Sequence, residues 1–93
     1  MTEETSIVGI PWYRKRDYAR IVSLMADTGQ LPNSYERWRY RAERLERALR
    51  AAGKTSMRAL IEPKAFARWC AAHRLKANAH SRLLYVEMAL RTE

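Results

Sequence analysis

Between Asn33 and Ala52 the apolar side chains fall at Tyr35, Trp38, Ala42, Leu45, Leu49 and Ala52. Gaps of three and four residues hold them on one stripe of a helix. The other faces carry Arg37, Arg39, Arg41, Arg44, Arg47 and Arg50 against Glu36, Glu43 and Glu46. One element therefore offers a packing seam and a basic surface. Asn33 with Glu36 has the spacing of a capping box. Arg39–Glu43, Glu43–Arg47 and Glu46–Arg50 are each four apart and support the helix together. Gly53 ends it.

The same patterning predicts the rest of the chain. Residues 1–6 are polar and read as a disordered N-terminus. Ile7 to Ile10 is a short apolar run that Pro11 is expected to stop, as an edge strand or an extended arm. Trp12 and Tyr13 anchor it. A first helix is predicted from about Arg14 to Asp27, with Tyr18, Ile21, Val22 and Met25 on one face and Gly29 closing its end. Thr55 to Ile61 alternates, with a break at Leu60, and reads as a strand. Glu62-Pro63 opens a third helix, because proline at the first helical position loses no helical hydrogen bond. Its inner face holds Phe66, Trp69, Cys70 and His73. After a turn from Arg74 to Ala77, Asn78 caps a fourth helix from Ala79 to about Arg91.

That last helix is apolar on nearly every side, through Leu83, Leu84, Tyr85, Val86, Met88, Ala89 and Leu90, with Glu87 alone interrupting. Such a helix is central to a fold or covered by a second chain. In 93 residues, which bury about 60–65% of their unfolded surface, full coverage from within is hard. Self-association is therefore expected, with Leu83, Leu84, Tyr85 and Met88 at the interface. A predicted strand with no firm partner points the same way: its edge pairs with the Ile7–Ile10 segment, with its copy in another subunit or with a partner peptide. The fold class is α+β and predominantly helical: four helices and one or two short strands in a single compact domain over residues 7–93.

Charge adds a second expectation. The chain is neutral over residues 1–32, and its net charge of +8 lies beyond them. Such an excess favours anionic partners, nucleic acid among them; the plainer alternative is a solvated surface. Residues 64–90 have the layout of a helix-turn-helix, whose second helix would present Asn78, His80, Ser81 and Arg82 to bases, with Arg74 and Lys76 beside phosphates. The turn has Arg74 where glycine is common. The second candidate is the arginine face of Arg37, Arg41 and Arg44, where Tyr40 could stack a base. The basic run at 13–16 sits where it opposes a helix dipole.

Catalytic and metal chemistry find little support. Cys70 and His73 have C-x-x-H spacing and His80 follows, but a structural zinc site needs four ligands and there is one cysteine. As a nucleophile Cys70 would need an electropositive, exposed setting. The chain reads as non-enzymatic, with no catalytic residue, metal or cofactor assigned. One cysteine excludes an intrachain disulfide. With no signal-like start and no membrane-length apolar run, the expected location is the cytoplasm.

Three separated motifs carry a resemblance. IPWYRKRDYARI, LPNSYERW and IEPKAFARWC resemble, in this order, the I-P-W-Y, L-P-x-x-Y-E-x-W and I-x-P-x-x-F-x-x-W-C segments of a group of short uncharacterised bacterial proteins of proteobacterial type. The likeness spans roughly residues 7–75. It implies a compact bacterial cytoplasmic domain and no particular activity.

The chain supports two functional expectations. The first is a homodimeric protein-interaction module docking through the fourth helix or the strand edge. The rival is a small nucleic-acid-binding regulator.

Overall fold

The computed structural model describes residues 7–26 and 31–91. In chain order they form β1 (Ile7–Trp12), α1 (Lys15–Leu24), α2 (Tyr35–Ala51), β2 (Thr55–Leu60), α3 (Pro63–Ala72) and α4 (Ala79–Arg91). The expectations placed on residues 1–6 and Gly29 lie outside the described residues; the first helix, expected to run to about Asp27, ends at Leu24, where Met25 turns to extended backbone at φ −75 and ψ 135. The fold is α+β and mostly helical, as the pattern predicts.

The strands pair with each other in parallel, from Ile7 opposite Thr55 to Trp12 opposite Leu60. The predicted strand thus finds its partner inside the chain, and one argument for self-association falls away. Pro11 does not stop β1. The Trp12 carbonyl accepts the Ile61 N–H at 2.8 Å, so Trp12 and its alternates turn their hydrogen-bonding groups toward β2. Pro11 then faces its missing N–H to the open edge, where no donor is required.

Each face of this small sheet meets a helix, as parallel sheets favour, although Met57 and Leu60 of β2 stay 43% and 48% exposed. A Cβ added to Gly9 would lie 2.5 Å from Val86 Cγ1 and 2.7 Å from Leu90 Cδ1, so that face looks at α4. On the other face Trp12 meets Trp38 of α2, with ring centroids 4.9 Å apart. The Arg58 guanidinium lies 3.8 Å from the centroid of the Trp12 ring. From there it grips Glu46 of α2 with two hydrogen bonds, 2.7 and 2.9 Å. α1 packs against α2 and α3. The core gathers Trp38, Tyr13 and Tyr18 at one end, and Phe66, Ile21, Ile61 and Val86 elsewhere.

Local chemistry sets the helix ends. Ser34, not Asn33, caps α2: its Oγ accepts the Arg37 N–H at 3.1 Å. Asn33 stands one residue too far out for this, and Glu36 pairs with Lys15 at 3.2 Å instead. The Glu62 carboxylate caps α3 by accepting the Ala65 N–H at 2.8 Å and the Lys64 N–H at 3.3 Å. The Ala65 bond above all holds its pKa below the usual carboxylate value. At the start of α1 Arg14 and Asp17 pair at 2.7 Å, which places a carboxylate in the first turn of an otherwise basic helix entry.

α2 and α3 close with the same motif. Lys54 N–H reaches Leu49 O at 2.9 Å, and Leu75 N–H reaches Cys70 O at 2.9 Å. The residue between is left-handed in both: Gly53 at φ +78 and Arg74 at φ +55. Glycine adopts this conformation without steric cost, whereas a Cβ makes it unfavourable. Gly53→Ala, with nothing within 4 Å of the new methyl, is expected to lower stability by about 1 kcal/mol. Arg74→Gly is expected to raise it by about 0.5–1 kcal/mol. Thermal unfolding should show melting temperatures moving in opposite directions by several degrees; shifts of one sign would contradict the shared geometry.

Candidate functional site

α4 uses its apolar surface within the chain more fully than expected. Val86 is buried and, with Leu90, presses on Gly9. Tyr85 stands edge-on to Phe66 and Trp69, both at 5.3 Å. Of the four residues expected at an interface, Tyr85 is therefore engaged internally, Leu84 and Met88 are half-buried, and Leu83 is 54% exposed. The sheet on one side and α3 on another supply the cover that seemed to require a second chain. Leu83 and Ile7 rim a groove of about 250 Å³ along the open edge of β1, with Val86 and Leu90 in its lining.

The helix-turn-helix reading loses part of its reading surface. The Asn78 side chain accepts the Ser81 N–H at 3.0 Å, and Ser81 Oγ accepts the Asn78 N–H at 2.9 Å. The Ser81 hydroxyl donates to the Lys76 carbonyl at 2.5 Å. Asn78 thus caps α4, as expected, and that use takes the oxygen it would have offered a base. Ser81 is buried. Arg82 is only 7% exposed; its Nη1 lies 3.0 Å from Met25 Sδ, and it makes further contacts. The first turn of α4 is held inward because the turn before it is tied to the exit of α1, through Ala26 N–H to Ala77 O at 2.7 Å. Arg74, Lys76 and His80 remain exposed.

The arginine face of α2 is presented whole. Each carboxylate of the helix is engaged away from it: Glu36 by Lys15, Glu43 by Arg39 at 3.0 Å, and Glu46 by Arg58. The spacings Glu43–Arg47 and Glu46–Arg50 are not used as ion pairs. Glu46 takes the two-pronged guanidinium from β2, the stronger geometry, and its carboxyl is held below its usual pKa by that bond. Arg37, Arg41 and Arg44 are exposed and enter none of the ion pairs among the described residues. Their spacing of four and three places them on one side of the helix. Tyr40, 60% exposed, lies on that side, with the Arg44 guanidinium 5.9 Å from its ring.

Beside this face lies a notch of about 260 Å³, lined by Ile10, Pro11, Leu31, Pro32, Leu45 and Arg41 among others. Its Pro32 wall is pinned by the Tyr18 hydroxyl, which donates to the Pro32 carbonyl at 2.6 Å. Sequence reasoning missed both the notch and Arg58. No sequence signal marks the first, because Leu45 has the spacing of a core residue on the α2 stripe and only the folded chain leaves it 47% exposed.

Cys70 is buried, and desolvation pushes its thiol pKa up, the opposite of an activated nucleophile. His73, expected on the inner face of α3, is exposed and rests on the Trp69 ring at 4.7 Å. Among the described residues no three His, Cys, Asp or Glu side chains gather to hold a metal. None of the described helices is long and apolar enough to cross a membrane. Compared with known protein families, with curated proteins and with solved structures, the chain matches none of them.

Proposed function

We propose that this protein is a non-enzymatic binding module that takes a single-stranded nucleic acid along α2. The observation that carries the reading is the unneutralised row of Arg37, Arg41 and Arg44 around exposed Tyr40, left after all three glutamates of the helix pair elsewhere. Guanidinium groups recognise phosphate oxygens in a planar fork. An exposed ring between them offers a stacking surface that an unpaired base can use and a duplex cannot. A cytoplasmic setting fits a chain with one thiol and no disulfide.

Fluorescence anisotropy of labelled single-stranded and duplex oligonucleotides at two salt concentrations tests it. Three neutralised phosphates give a slope of log K against log salt of about −2 for a single strand. Binding should favour the single strand. The triple variant Arg37→Glu, Arg41→Glu, Arg44→Glu should weaken it at least tenfold with an unchanged far-ultraviolet spectrum. Absence of binding at low salt would make the arginine row a solubility feature.

The groove between Leu83 and Ile7 favours a second reading, self-association as a homodimer at the open edge of β1. Leu83→Glu, at an exposed position, should then leave the fold intact and shift sedimentation toward monomer. A wild-type chain that stays monomeric at high micromolar concentration dismisses this reading.

A further inference from the structure

We propose that the notch beside Arg41 receives one unstacked base of the strand that lies along α2; this rests on the single-strand reading above. The walls from Ile10, Pro11, Leu31, Pro32 and Leu45 are apolar, and Arg41 brings an exposed cation to the lining beside the buried Arg82. That combination suits a flat ring bonded to an anionic group. The volume, about 260 Å³, falls below the ~300–1,000 Å³ of sites for larger ligands and matches the size of one ring system. Arg41 belongs both to the notch and to the row with Arg37 and Arg44. A phosphate held at Arg41 therefore places its own base at the notch, while Tyr40 is free to stack a neighbour. A row of three cations favours a polymer with repeated charges over a single aryl phosphate on a peptide. The wall is built in advance, because Tyr18 fixes Pro32 from the core side.

The test pairs a thymidine oligonucleotide with an abasic oligonucleotide of equal length, read by anisotropy and by methyl-resolved NMR of Ile10, Leu31 and Leu45. The base-containing strand should bind about tenfold more tightly, within the range of base stacking on protein surfaces, and should alone shift these methyl signals. Leu45→Glu, a change at a half-exposed site, should abolish the Ile10 and Leu31 shifts; Leu45→Gln serves if the first variant folds poorly. Equal binding of both strands, with shifts confined to the amides of residues 37–44, would overturn the notch and leave the single-strand reading standing. No binding of either strand would remove both. A phosphotyrosine peptide that bound more tightly than the oligonucleotide, with the same methyl shifts, would overturn the nucleic-acid assignment and keep the notch as an aryl-phosphate site.

Discussion

Trp38→Ala is expected to cost about 3–5 kcal/mol, the range for removing a large aromatic side chain from a core. Trp38 is buried and touches rings from three elements and from the segment that follows β1. Its ring centroid lies 4.9 Å from those of Trp12 and Tyr13, 5.5 Å from Tyr35 and 5.8 Å from Tyr18. Alanine would leave a void where β1, α1 and α2 converge, and the surrounding rings are too rigid to close it. A domain of this size has about 5–15 kcal/mol of stability in all, so this one substitution consumes a large share. Urea unfolding followed by circular dichroism should show a much lower midpoint with a similar slope. Trp38→Phe should recover part of the loss by restoring ring contacts. A loss below 1 kcal/mol for the alanine variant would show that the aromatic cluster does not hold these elements together.

Gly9→Ala is expected to destabilise by about 1–3 kcal/mol, the usual penalty for overpacking. The two atoms in the way differ. Leu90 Cδ1 is the end of a flexible side chain and can swing aside. Val86 Cγ1 belongs to a buried β-branched residue with little rotamer freedom. The strain therefore falls on the seating of α4 against β1. A double-mutant cycle isolates it: Val86→Ala should cost less in the Gly9→Ala background than in the wild type. Additive effects, or a neutral Gly9→Ala, would mean that α4 does not press on the strand.

Features written in local chemistry were legible in the sequence. Pro63 opens α3, Asn78 caps α4 and Gly53 closes α2, because each depends on groups within a few residues. The arginine row was legible for the same reason: the α2 stripe fixes which way the helix turns, and so which arginines face out. The phase of α4 was not. A helix apolar on nearly every side has no preferred inner face, so nothing local said that Ser81, Arg82 and Val86 would be the buried ones. Arginines usually lie at the surface, and the contact that buries Arg82, with Met25, spans 57 positions of the chain. Glu46 was assigned to Arg50 by helix spacing, and Arg58 from β2 displaced that pairing. The course of β1 through Pro11 was equally hidden, because it depends on which edge β2 occupies. The motif residues Trp12, Tyr13, Trp38, Phe66 and Cys70 all lie in the core, so those motifs describe how the domain is packed.

β1 and β2 hydrogen-bond side by side, yet residues 13–54 separate them along the chain. Helices assemble from neighbours within about a microsecond, whereas this pairing must wait for the ends of a long loop to meet. α2 can form and begin gathering aromatic rings before β2 has anything to pair with. During that interval Ile7 to Ile10 is an apolar strand with both edges open, and it is then that the chain is most prone to join a neighbour. Refolding yield should therefore fall with protein concentration more steeply than the stability of the finished domain would suggest.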